Sequence, residues 1–145
     1  MGAHVVLDTN IVLDLFVFDD TAAKPLKAGL ERGDWGWVAT QAMRDELERV
    51  LGYRHICSRL AFYQLQAADV LAGFDRHARI VDAPEKAAVT CSDPDDQKFI
   101  DLAVQHKCLL LSKDAAVLTM KKRLAALEVS AQCAIPASSC MLSEP

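Results

Sequence analysis

Five short candidate strands are spaced along the chain, and no two of them adjoin. They are His4–Leu7, Trp35–Ala39, Arg79–Val81, Cys108–Leu111 and Val129–Ile135. The segments between them carry helix punctuation. Ile11–Phe18 reads as a short helix. Thr21 can cap a helix over Ala22–Glu31 that Gly33 closes, and Thr40 can cap one over Gln41–Leu51 that Gly52 ends. A longer helix is predicted from about Arg54 to Leu71, stopping at Gly73. Asp93-Pro94 is a strong helix start, with the acid as cap and proline in the first turn, and that helix runs to about His106. A short helix follows Asp114. Strands that alternate with helices predict an α/β fold on a mainly parallel, five-stranded sheet. Runs as apolar as Cys108–Leu111 fit a sheet covered on both faces. Right-handed crossovers then start each helix at the sheet's C-terminal edge, where open α/β sheets bind ligands.

With 145 residues, no repeat and no Ser/Gly/Pro linker, the chain is expected to form one domain over 1–145. It is 52% hydrophobic and 25% charged, which excludes a disordered or low-complexity chain. No apolar run is long enough to cross a bilayer, so no membrane partner is expected. The opening Met-Gly-Ala-His-Val-Val-Leu-Asp lacks the basic and apolar segments of a signal peptide, and Val6 stands where a myristoylation signal needs Ser or Thr. The five cysteines (Cys57, Cys91, Cys108, Cys133, Cys140) are odd in number and form no Cys-x-x-Cys, which suits a reducing cytoplasm better than a disulfide or zinc framework. Formal net charge is −4, so bulk electrostatics would not hold a nucleic acid, and such a partner must be engaged locally, through metal ions.

The predicted topology selects among the 20 acids. Asp8 and Asp114 follow the first and fourth strands, so both lie on the C-terminal edge. Asp96 sits in the first turn of the helix that feeds the fourth strand, and Glu46 in the second turn after Thr40. Phe99, Ile100, Ala103 and Val104 fall within about 80° of Asp96 on a helical wheel, which puts Asp96 on the apolar stripe. Asp95 and Asp101 fall well off it. Met43 and Val50 flank Glu46 in the same way, while Asp45 and Glu48 point elsewhere. Acids aimed into a fold are costly unless paired, hydrogen-bonded or bound to metal. Four on one edge, with few basic partners predicted among them, ask for Mg²⁺ or Mn²⁺, one ion or two. Two such ions would activate water and stabilise the leaving oxygen in phosphodiester cleavage.

Each acid also has a plainer reading when taken singly. Asp8 can be a turn residue, Asp93, Asp95 and Asp96 helix-start acids, Asp114 a cap, and Glu46 the partner of Arg44 or Arg49. Trp35 and Trp37 share a strand face and read as packing rather than base stacking. Arg44, Arg49, Arg54, Arg59 and Lys121–Arg123 read first as solvated faces and second as phosphate contacts. His4, His55, His77 and His106 show no ligand spacing. Gly-x-Ser-x-Gly and phosphate-loop motifs are absent.

Four segments, in order, resemble PIN-domain ribonucleases: Val5-Val6-Leu7-Asp8-Thr9-Asn10, Glu46-Leu47-x-x-Val50-Leu51, Asp93-Pro94-Asp95-Asp96-x-x-Phe99 and Leu110-Leu111-Ser112-Lys113-Asp114. The Asp-Pro-Asp-Asp form resembles the branch described as toxin components of toxin–antitoxin systems (VapC-like). The resemblance implies a three-layer α/β/α sandwich and an endoribonuclease dependent on Mg²⁺ or Mn²⁺, acting on single-stranded or structured RNA. It gives Asp8, Glu46, Asp96 and Asp114 the catalytic and metal-binding quartet, and Asn10 and Ser112 accessory polar positions. It further implies a homodimer, an antitoxin protein whose tail blocks the site, and the cytoplasm as location. Ser112 replaces the usual threonine and keeps its hydroxyl. The stretch around Leu118–Ile135 matches the family only loosely.

Three other functions compete. A haloacid-dehalogenase-type phosphatase needs an acid two residues after Asp8, where Asn10 stands. A two-component receiver needs an acidic pair at the first strand's end, where Leu7-Asp8 stands, and a phosphoacceptor that Asp82 matches poorly. A non-catalytic PIN-like module binding RNA or protein is the alternative closest to the ribonuclease, and the intact quartet argues against it.

Overall fold

The computed structural model describes residues 3–18 and 20–135, so Cys140 lies outside the described residues. All five runs become strands: β1 (Ala3–Leu7), β2 (Trp35–Ala39), β3 (Ala78–Ile80), β4 (Leu109–Leu111) and β5 (Ser130–Gln132). They form one sheet in the order β3-β2-β1-β4-β5, and every pairing is parallel. The chain builds outward from β1 to β2 and β3, then returns to lay β4 on the free side of β1. Strand order therefore reverses between β1 and β4, the switch point at which α/β sheets open a crevice.

Among the described residues eight α-helices accompany the strands: α1 (Thr9–Phe16), α2 (Lys24–Arg32), α3 (Gln41–Leu51), α4 (Arg54–Phe62), α5 (Ala67–His77), α6 (Gln97–His106), α7 (Ala115–Leu118) and α8 (Lys121–Ala125). Alternate residues of a strand point to opposite faces, and this pleat divides the layers. On one face Trp37 is closed over by Phe16 of α1 and Phe74 of α5, at ring separations of 6.3 and 4.8 Å. Trp35 on that face packs against Gly29 of α2, where a Cβ would come within 2.5 Å of the indole. Both tryptophans are thus packing residues. On the other face His4 meets His106 of α6, which runs beside β1 and β4. The result is the three-layer α/β/α sandwich. Val5, Val6 and Leu110 of the central strands are fully buried. Among the described residues, no helix is long and apolar enough to cross a membrane.

The helix limits differ from the sequence reading in instructive ways. The predicted helix from Arg54 to Leu71 is two helices. Gln64 turns into the left-handed region at φ 59°, and the Gln66 backbone N–H donates to Asp69 Oδ2 at 2.9 Å, restarting the chain as α5. Gly73 does not stop α5. It lies inside the helix, where a Cβ would come within 2.9 Å of the Phe16 ring, so glycine marks a close approach. Asp20, not Thr21, supplies the cap before α2, accepting from Ala22 N–H at 2.9 Å to start a 3₁₀ turn over Thr21–Ala23. Thr40 caps α3 as expected, accepting from Met43 N–H at 3.4 Å. Gly33 closes α2 at φ 82°.

Candidate active site

The switch point is knitted at backbone level. Where β1 ends, the Asp8 N–H donates to the Leu111 carbonyl at 3.0 Å, and the Ser112 N–H donates to Gln132 at 2.9 Å. Asp8 occupies the N-cap position of α1, yet its side chain makes no cap bond. Its Oδ2 accepts from the hydroxyl of fully buried Ser112 at 2.7 Å, with the Asn10 backbone N–H near enough to act on its charge without a full cap bond. The same hydroxyl oxygen accepts from the Asp114 N–H at 3.0 Å. Ser112 therefore fixes both acids that follow the central strands. Asp114 spends Oδ1 on the Ala116 N–H at 2.9 Å, capping α7. Asp93 accepts from Asp95 N–H at 3.0 Å and starts a 3₁₀ turn over Pro94–Asp96. That turn leaves Asp96 at the N-cap of α6, one step before the helix proper.

Asp8, Asp96 and Asp114 each offer a carboxylate oxygen, and these oxygens lie within 4.8 Å of one another. Asp96 is 6% exposed, and its Oδ2 is buried without a hydrogen-bond partner. Burial, then the hydrogen bond with Asp114, then the charges of Asp8 and Asp114 push the Asp96 carboxyl up to about 8. Burial also raises Asp8, against the lowering effect of the Ser112 hydroxyl and the Asn10 backbone N–H, while the charges of Asp114 and Glu46 add to the rise. Clustered carboxylates without a counter-charge bear this cost, and a cation among them removes it. The donors are all hard carboxylate oxygens, one of them unpartnered, which fits Mg²⁺ or Mn²⁺.

Glu46 reaches the same cleft from α3 but stands apart from those three acids. Its Oε2 accepts from the Thr9 hydroxyl at 2.6 Å, and its Oε1 pairs with Lys98 rather than with Arg44 or Arg49. Lys98 also donates to the Asp95 carbonyl at 2.6 Å. Lys98 is thus a basic partner of one of the four acids, placed beside the cleft rather than lining it. The cleft encloses about 370 Å³. Around the acids it is lined by Thr9, Asn10, Leu13, Phe18, Val50, Tyr53, His55 and Ile56.

A family model for the PIN domain matches residues 4–116. The chain belongs to the PIN-domain family. No curated protein resembles it closely enough to count as a relative. PIN domains are in general metal-dependent nucleases, and an acid cluster at the switch point is compatible with that chemistry. The match takes in Asp8, Glu46, Asp96 and Asp114, and stops before α8 and β5, the stretch that resembles the family only loosely.

Every residue assigned to this PIN domain's site from sequence lies at or beside the cleft: the four acids and Asn10 line it, and Ser112 stands behind Asp8. Sequence reasoning missed Thr9, Lys98 and His55. Thr9 and Lys98 act on Glu46 from other elements, and no spacing within one helix announces such contacts. His55 was given no role and lines the rim. Arg44 is withdrawn from phosphate duty by a two-point pairing with Asp75 at 2.7 and 2.8 Å. Burial pushes the Cys108 thiol up to about 12 and also raises Cys91, so neither supplies a thiolate nucleophile.

Proposed function

We propose that the chain is an endoribonuclease dependent on Mg²⁺ or Mn²⁺, acting as the toxin of a toxin–antitoxin pair. The observation that supports this most is the trio of converging carboxylates with a buried, unpartnered Asp96 oxygen. Asp8, Asp96 and Asp114 would hold the ion. Bound there, it would lower the pKa of a coordinated water and neutralise charge on the phosphate and leaving oxygen. The chain's own residues prepare that chemistry. Ser112 keeps Asp8 in one rotamer and favours its charged form. Asp114 is held by its cap bond, so its carboxylate does not swing away. Thr9 and Lys98 hold Glu46 at the wall, and the Lys98 ammonium adds positive charge beside an otherwise acidic cleft. RNA is the substrate, the antitoxin a protein that covers the cleft, the working form a homodimer and the location the cytoplasm.

The test is cleavage of a labelled RNA panel with Mn²⁺ and with EDTA. Wild type is expected to cut only with metal. Asp8→Asn and Asp114→Asn are each expected to lose roughly a hundredfold or more, because each keeps size but loses the charge that holds the ion. Asp45→Asn, an exposed acid of α3 outside the cleft, is expected to keep activity. Cleavage in EDTA, or equal loss in all three variants, would sink the mechanism. RNA binding with no cleavage in any metal favours the non-catalytic module.

A further inference from the structure

Helix α4 carries two arginines and a histidine and no acid in Arg54–Phe62, although the chain as a whole is acidic. Arg54, His55, Ser58, Arg59 and Phe62 line one open groove of about 700 Å³. Neither arginine takes part in an ion pair among the described residues. Phe62 is 73% exposed although its ring meets Tyr63 edge-on at 5.0 Å, so much of an aromatic face is open to solvent. His55 lines both this groove and the carboxylate cleft, beside Tyr53, which lines the cleft and is 45% exposed. Arg59 also comes near the cleft's lining, with its guanidinium 6.0 Å from the ring of Phe18. Cations and ring faces thus form one track leading away from the acids.

We infer that the α4 groove binds the single-stranded RNA flanking the scissile phosphate, with Arg54 and Arg59 on backbone phosphates and Phe62 stacking a base. This rests on the ribonuclease reading. A polyanion fits because α4 presents guanidinium, imidazole and hydroxyl donors and no carboxylate. RNA fits better than an acidic peptide because bases have faces to stack on exposed rings, and because the groove shares His55 with the cleft where a phosphodiester would be cut. It also explains how an acidic protein gathers an anionic substrate, with local cations taking the place of net charge.

The experiment uses the full chain and a short unstructured, fluorescently labelled RNA, titrated in EDTA at several salt concentrations. Arg54→Ala/Arg59→Ala is expected to weaken binding about tenfold or more and to flatten the salt dependence by about 1.4 in log–log slope. Phe62→Ala is expected to weaken it by about fivefold or more with the slope unchanged. Arg32→Ala, whose guanidinium pairs with Asp34 away from this groove, is expected to bind as wild type does. Ser58→Glu puts a negative charge into the groove from an exposed position and gives the same loss should the double variant fail to fold. With Mn²⁺ the α4 variants are expected to raise KM while kcat stays within about threefold. Wild-type affinity in the α4 variants overturns the inference. So does tighter binding of polyglutamate than of RNA, or a dimer that Phe62→Ala splits with RNA affinity intact. A wild type that binds RNA through α4 but never cuts it refutes the nuclease reading and keeps this surface. Cutting that is indifferent to α4 refutes the surface alone, and a protein that neither binds nor cuts refutes both.

Discussion

At the scale of single residues, Asp96 shows how function and stability pull apart. Its carboxyl stands at about 8 in the folded chain against 3.8 in the unfolded one. The native state therefore holds the extra proton between those values, and stability falls as pH rises from about 4 to about 8. Asp96→Asn removes the ionisation and keeps the shape. Metal-free Asp96→Asn is expected to melt several degrees above wild type at pH 8, with the difference vanishing toward pH 4. A lower melting temperature at pH 8 would make Asp96 a structural cap instead. Asp101 shows the opposite balance. Its Oδ1 accepts from the Ala87 N–H at 2.9 Å and from Gln97 Nε2 at 2.8 Å, tying the segment before Asp93 onto α6. Asp101→Asn is expected to cost about 1–2 kcal/mol in urea unfolding while leaving cleavage by the folded fraction intact. The helical wheel separated these two acids correctly, because phase and the apolar stripe are properties of one helix. It was silent on Lys98 and Thr9, whose partner Glu46 is more than 35 positions away in the chain in both cases and enters from another element.

At the scale of elements, the strands were the most legible parts. β1 to β4 are short and each lies within one residue of its expected limits, while β5, a polar Ser-Ala-Gln, ends three residues short of its predicted run. Helix starts marked by Thr40 and Asp93 were equally plain, since a side chain that bonds the next backbone N–H is local chemistry. The break between α4 and α5 was not. Tyr63–Gln66 contains neither glycine nor proline, and the visible glycine, Gly73, was needed for contact with Phe16. Gln64 holds φ 59° without the freedom that glycine has there. Gln64→Gly is therefore expected to stabilise the chain by about 0.5–1 kcal/mol, read as a higher urea midpoint at unchanged m-value. Destabilisation would mean that the glutamine side chain itself holds the junction.

At the scale of the whole molecule, the site is a consequence of strand order. Only because the chain reverses between β1 and β4 do Asp8 and Asp114, 106 positions apart, share the hydroxyl of Ser112. Asp96 joins them because α6, which returns the chain across β1, starts at the same edge. The fold thus assembles mutually repelling carboxylates and stabilises them through the rest of the sheet and its two helical layers. A ligand that neutralises the cluster must then stabilise the entire fold, since it binds the native state and not the unfolded chain. Mn²⁺ at about 100 times its dissociation constant is expected to add about 2.7 kcal/mol, a rise of roughly 5–10 °C in melting temperature. The ion competes with the proton on Asp96, so the rise is expected to be larger at pH 8 than at pH 6. Asp96→Asn is expected to lose most of the rise and all of its pH dependence. A Mn²⁺ shift of equal size in wild type and Asp96→Asn, flat from pH 6 to pH 8, would place the ion somewhere other than among these three acids.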